Sequence, residues 1–126
     1  MKFAVVDIET TGGFPSQHGI TEIAIVLHDG DQIEGIYETL INPHQPIPPF
    51  IANMTGISNQ MVAAAPSFDK VASNIFNLLE NRVFVAHNVN FDYSFVRHHL
   101  EVSGYQLDVP KLCTICINNS RTIFPM

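Results

Sequence analysis

Basic residues are few in this chain: six Lys and Arg stand against twelve Asp and Glu, a formal net charge of −6. A protein that holds nucleic acid by bulk attraction needs the opposite balance. Any nucleic-acid partner must therefore be held by local features, with bound cations the obvious intermediaries. Cysteine is nearly absent. Cys113 and Cys116 alone make no disulfide framework, so a reducing cytoplasm is the expected compartment. No apolar run approaches the roughly 20 residues of a membrane span, and the N-terminus enters strand-like sequence with no basic and apolar leader. Internal repeats and low-complexity segments are missing as well. What is present is 46% apolar and 14% charged residues in 126, the composition of one globular domain with a real core. Composition leaves the function open.

The segment Lys2–Glu9 reads as a strand apolar on both faces, the pattern of a central strand covered on both sides. Ile20–His28 is a second β-branched run. Asp29-Gly30 then suits a two-residue hairpin turn, with Gln32–Ile41 returning as a third strand. Four prolines make 42–49 a stiff loop. Pro49 is placed to open a short helix, Phe50–Met54, closed by Gly56, and Ser58 and Ser67 are candidate N-caps. After Ser67, Phe68, Val71, Ala72, Ile75, Phe76 and Leu79 recur at three and four, a helix that covers a sheet. Val83–Ala86 is a short buried strand. Phe91–Ser103 is a helix with Phe91, Phe95, Val96 and Leu100 inward and Gly104 at its C-terminal cap. A short strand near Leu112 and a short helix ending near Phe124 follow. The order β-β-β-α-β-α-β predicts an α/β fold, a mixed sheet with helices on both faces. It is the order of the ribonuclease-H-like fold, although other α/β folds share it.

Asp7 and Glu9 are two apart on a strand, so their side chains share a face. Two adjacent carboxylates repel, and burial raises their pKa values unless a cation neutralises them. Against this stands a simpler reading, a strand end emerging into solvent with two harmless acids; spacing alone does not separate the two. Thr10-Thr11-Gly12-Gly13 tips the balance, because it offers hydroxyls and flexible backbone donors to a phosphate or sugar beside the acids. Asp92 falls one turn into a helix that follows a buried strand, and strand ends and helix starts in α/β sheets converge on one crevice. Taken alone, Asp92 reads better as a first-turn residue favoured by the helix dipole, worth about 0.3–1 kcal/mol. Three such acids together suit hard divalent ions, Mg²⁺ or Mn²⁺. Two ions roughly 4 Å apart activate a water and stabilise the leaving oxygen of a phosphodiester.

The run Val6-Asp7-Ile8-Glu9-Thr10-Thr11-Gly12 resembles the first signature of the DEDD 3′–5′ exonucleases of the type with a histidine base, typified by the proofreading subunit of bacterial DNA polymerase III. His87-Asn88-Val89-Asn90-Phe91-Asp92 resembles the second signature, and Asn53-Met54-Thr55-Gly56-Ile57 is similar to the family's Thr-Gly-Ile segment. The Asn42-Pro43 pair and Ile23-Ala24 after Glu22 stand in family register. The resemblance covers the whole chain, 1–126, as a single exonuclease domain. It implies that Asp7 bridges two metals, Glu9 holds the metal that activates water and Asp92 completes the other shell. It further implies that Thr10, Thr11 and Gly12 border the 3′-terminal sugar and phosphate, and that Thr55, Gly56 and Ile57 form a pocket and wedge. His87, Asn88 and Phe91 fall at the neighbouring nucleotide. The implied reaction is hydrolysis of terminal phosphodiesters of a DNA 3′ end to nucleoside monophosphates. RNA trimming by the same site is the alternative, and a polymerase or a fused nuclease domain is an implied partner.

The family's third signature, a general-base His with a fourth acid a few residues later, is not found. No His-x4-Asp pattern follows Asp92. His98 and His99 share the helix of Asp92, Asp108 reads as a loop residue, and His18 and His87 are loop histidines that make weak replacement bases. The domain is thus expected to be incomplete at its C-terminus, and the 126-residue chain to have little nuclease activity by itself. Cys113-x-x-Cys116 lacks the second ligand pair of a zinc site and reads as packing. Phe14, Tyr37, Phe91 and Phe95 are candidates for base stacking, though Phe91 and Phe95 at helical spacing also suit a core. A rival of another class is a non-catalytic module that binds a partner through the 42–49 loop.

Overall fold

A computed structural model describes residues 1–114. Five strands form one sheet in the order β3-β2-β1-β4-β5: β1 (Phe3–Thr10), β2 (Ile20–His28), β3 (Ile33–Leu40), β4 (Val83–Ala86) and β5 (Lys111–Cys113). β1 pairs antiparallel with β2 and parallel with β4; β4 pairs parallel with β5. Four helices intervene, α1 (Pro49–Thr55), α2 (Asn59–Ala63), α3 (Phe68–Leu79) and α4 (Val89–Val102). This is the mixed α/β sheet expected from the element order. The expected last helix near Phe124, and Cys116, lie outside the described residues.

The core sits on one face of the sheet. Ala4, Val6 and Ile8 from β1, and Ile23 and Ile25 from β2, join Ala72, Ile75 and Leu79 of α3 and Phe95, Val96 and Leu100 of α4, all buried. The α3 residues recur at three and four, so one stripe of the helix supplies every contact. On the opposite face, register aligns Glu9, Glu22 and Leu40 across three strands. A second small cluster, Ile47, Ile51, Ile57 and Val62 from α1, α2 and their flanks, packs against Leu40 there. Helices thus lie on both faces. The reading of β1 as covered throughout on both sides needs correction, however, because Val5 is 40% exposed and Asp7 is exposed. β1 thus alternates buried and accessible positions despite its apolar sequence, although Val85, beside Val5 on the second face, is buried.

Turn chemistry explains most element boundaries. The β2–β3 connection is four residues, not two: the Asp29 carboxylate accepts from the backbone amides of Asp31 and Gln32, both at 2.8 Å. That Asx geometry turns the chain before Gly30 has to do it alone. Pro49 opens α1, and Gly56 closes it at φ 77°, donating its amide to the Ala52 carbonyl at 2.9 Å. Ser58 caps α2 through the Met61 amide at 3.2 Å. Ser67 precedes α3 as expected, but its hydroxyl bonds to Asp69 rather than to the helix backbone. α4 begins at Val89, two residues earlier than its apolar pattern announces, which places Asp92 squarely in the first turn.

Candidate active site

Parallel pairing of β1 with β4 runs only from Phe3–Val83 to Val5–Val85. Beyond it, β4 ends at Ala86 and the chain turns into α4 while β1 continues to Thr10. Two neighbouring parallel strands that part in this way leave a crevice at their carboxyl ends. Asp7 and Glu9 project from β1 at that end. Asp92 enters from α4, buried at 7% exposure, with the backbone amide of Ile8, the residue between the two acids, hydrogen-bonded to its carboxylate.

The electrostatics report the convergence. Burial first, then the Asp7 carboxylate and more weakly Glu9, push the Asp92 carboxyl up to about 6, against the restraint of the Ile8 amide and its own. Glu9 is also raised, by burial, Asp7 and Glu22. Glu22 stands directly opposite Glu9 in the β1–β2 register; its motif register alone gave no sign that it adds a further negative charge to this end of the sheet. Among the described residues no three of His, Cys, Asp and Glu are gathered closely enough to enclose an ion by themselves. The donor chemistry nevertheless fits a divalent cation: oxygen ligands only, mutually repelling, with no Lys or Arg ion-paired to Asp7, Glu9 or Asp92 among the described residues. A hard cation relieves that repulsion.

The segment after Glu9 is built inward as much as outward. Thr10 donates its hydroxyl to the Gly12 carbonyl at 2.7 Å. Thr11 is only 2% exposed; its hydroxyl accepts from the Gly19 amide at 3.1 Å and donates to Gln45. Neither hydroxyl proton is left over for a ligand, so the outward donors here are the backbone of Gly12 and exposed Gly13. Gly12 has no room for a side chain, since a Cβ there would lie about 2.5 Å from the His18 ring. That ring accepts the Phe14 amide at Nδ1 (3.0 Å) and lies 6.0 Å from the Phe14 ring in a stacked arrangement. His99 donates Nε2–H to the His18 carbonyl at 3.0 Å, and burial holds its imidazole below the ordinary range. Both histidines support the loop.

Other expected residues are placed as follows. Thr55 spends its hydroxyl within α1, on the Ile51 carbonyl at 2.9 Å, and also accepts the Ile57 amide at 3.2 Å. Ile57 is buried in the second cluster at 4% exposure, while Met54 beside it is 75% exposed. The apolar side chain that this segment presents outward is therefore Met54, which motif matching passed over. His87 and Asn88 are exposed between β4 and α4; Thr114 approaches His87 Nδ1 at 3.3 Å. Phe91 is half-buried and packs on Phe95 at 4.9 Å between ring centroids. Cys113 packs with its thiol on the His87 carbonyl at 3.3 Å. Asp108 is an exposed loop residue.

Known proteins resemble this chain in sequence and fold. The exonuclease family model (RNase_T) matches residues 4–122. The 3′–5′ exonuclease DinG of Bacillus subtilis (strain 168) is 44% identical over 126 residues, 98% of this chain and 13% of that protein. The DinG exonuclease of Staphylococcus haemolyticus (strain JCSC1435) is 42% identical over 95 residues, 75% of this chain and 11% of that protein. Among solved structures, exonuclease X in complex with 5′ overhanging duplex DNA aligns at TM-score 0.73 and 27% identity, over 96% of this chain and 64% of that one. E. coli exonuclease I in complex with a dA16 oligonucleotide aligns at TM-score 0.82 and 19% identity, over 94% of this chain and 29% of that one; at that identity the likeness is one of fold. The sheet order and the structural likeness are those of the ribonuclease-H-like fold. The chain belongs to the exonuclease family, whose members generally use divalent metals. It spans only a small part of the length of the curated relatives it matches. Among the described residues no helix is long and apolar enough to cross a membrane.

Proposed function

We propose that this chain is the nuclease domain of a metal-dependent 3′–5′ exonuclease acting on DNA ends. The reading is supported by the proximity of Asp7, Glu9 and Asp92, from two elements at one end of the sheet, with the Asp92 carboxyl raised to about 6 by burial and by Asp7. Asp7, Glu9 and Asp92 would hold the ions, Mg²⁺ or Mn²⁺; such ions supply an activated water and charge neutralisation at a phosphodiester. The chain's own contribution is placement. β1 fixes Asp7 and Glu9 two residues apart on one face, the Ile8 amide aims Asp92, and Gly12 and Gly13 leave backbone donors open to a terminal phosphate or sugar. DNA is favoured over RNA because exonuclease X and exonuclease I are seen with overhanging duplex and single-stranded DNA. A 3′ end that is single-stranded or frayed is the expected partner, with a polymerase or another nuclease domain as companion in a longer protein.

Fluorescence anisotropy with short single-stranded oligonucleotides tests this without requiring turnover. Binding should depend on Mg²⁺ or Mn²⁺, should favour a free 3′-hydroxyl over a 3′-phosphate, and should be lost in Asp7→Ala. Equal binding to both ends, or binding that survives chelation and Asp7→Ala alike, would refute it.

A further inference from the structure

We propose that Gln45, in the proline-bearing loop, is a positioning residue that holds the segment after β1 in the shape that receives a nucleotide phosphate. The proposal rests on the exonuclease reading of the acids and adds a residue that no motif assigns.

β1 and β2 are out of simple register at the catalytic end: Glu9 pairs with Glu22, but Thr10 pairs with Ile20. The chain leaves the sheet at this irregularity and returns at Ile20. Its neck is closed by the Thr11 amide donating to the Gly19 carbonyl at 2.9 Å and by the Gly19 amide donating to the Thr11 hydroxyl at 3.1 Å. Gln45 reaches this neck from a segment 26 residues beyond Gly19. Its Oε1 accepts from the Gly19 amide at 3.2 Å and from the Thr11 hydroxyl, and its Nε2 donates to the Gln17 carbonyl at 3.2 Å. Two donors on one side and an acceptor on the other fix which way the amide faces. One side chain therefore joins the neck of the loop to its far limb.

The proline loop is seated against the same point, since a Cβ on Gly19 would lie 2.8 Å from Pro43 Cβ. Prolines at 43, 46, 48 and 49 stiffen the segment that carries Gln45, so the amide is delivered from a rigid support. The Phe14 amide on His18 Nδ1 within the loop, and His99 of α4 on the His18 carbonyl, hold the returning limb. Between neck and that limb lie Gly12 and Gly13, whose backbone is open, and glycine pairs are the segments that lose most order when unsupported. Binding energy from backbone donors is retained only if their orientation is fixed before the ligand arrives. The 42–49 loop thus acts as a strut for the site.

Equilibrium binding of thymidine 5′-monophosphate, in saturating Mn²⁺, and of Mn²⁺ alone, tests the assignment. Gln45→Ala and Gln45→Met should each weaken nucleotide binding by about tenfold, with Mn²⁺ binding changed less than about twofold. Thr11→Val should act in the same direction, and Thr11→Val with Gln45→Ala should be no worse than Gln45→Ala, since both belong to one network. Full nucleotide affinity in Gln45→Met, which keeps length and packing without hydrogen bonds, would overturn the proposal. So would equal losses of nucleotide and Mn²⁺ affinity, the sign of general loosening. A wild-type chain that binds no nucleotide would remove the exonuclease reading itself, a result distinct from a wild type that binds and variants that bind equally well.

Discussion

Replacing Asp92 by Asn should make the metal-free protein more stable above neutral pH, and the sign of this change separates two accounts of the residue. In the first, Asp92 is a first-turn helix acid favoured by the dipole, and its loss costs about 0.3–1 kcal/mol. In the second, it is a buried member of a repelling set. A carboxyl held at about 6 in the fold and near 3.8 in the unfolded chain binds its proton more tightly when folded. No penalty applies below about 3.8; it grows as pH rises from there to 6 and is complete above, at ~3 kcal/mol. Asn has nearly the same shape and still accepts the Ile8 amide, so Asp92→Asn should recover most of that cost. For a domain of this size the gain corresponds to roughly 10 °C in Tm. Thermal melts in chelator at pH 5 and pH 8 measure it. The variant should exceed wild type clearly at pH 8 and by about half as much at pH 5. Added Mn²⁺ should then raise wild type and leave the variant nearly unmoved. A variant less stable than wild type at pH 8 in chelator would refute the reasoning.

Two backbone substitutions follow from particular contacts. Gly12→Ala places a methyl about 2.5 Å from the His18 ring; it should cost about 1–3 kcal/mol by overpacking, and His18→Ala in the same chain should restore most of the Tm. Gly56 adopts φ 77° in open space, with no atom within 4 Å of where a Cβ would stand, so Gly56→Ala should cost about 1–2 kcal/mol from backbone strain alone. Gly56→Asn should cost less in the same chemical denaturation series, because Asn tolerates that conformation.

The parts of the fold written in the sequence are those decided locally. The β-branched runs of β1 and β2, the three-and-four spacing of α3, Pro49 before α1 and the glycines after α1 and α4 all act within a few residues of themselves. The four-residue turn at 29–32 escapes the dipeptide pattern because Asp29 uses its side chain where that pattern credits Gly30. The accessible face of β1 is invisible for another reason: apolar sequence says what can be covered, not which neighbour covers it. Motif spacing names Asp7, Glu9 and Asp92, which lie near enough at one end of the sheet for Asp7 to raise both other carboxyls. It says nothing of Gln45, whose partners lie 26 to 34 residues away, and it credits Thr11 with an outward hydroxyl that is in fact bonded inside the loop. Long-range hydrogen bonds leave no periodicity to read.

Whether Asp7, Glu9 and Asp92 together hold divalent ions is tested most directly by titrating Mn²⁺ into the chain and following free Mn²⁺ by electron paramagnetic resonance. Saturable binding should appear in wild type and should weaken by more than about tenfold in each of Asp7→Asn, Glu9→Gln and Asp92→Asn, since losing a ligand costs more than losing a partner behind one. Binding that is absent up to millimolar Mn²⁺, or that all three variants retain, would contradict it.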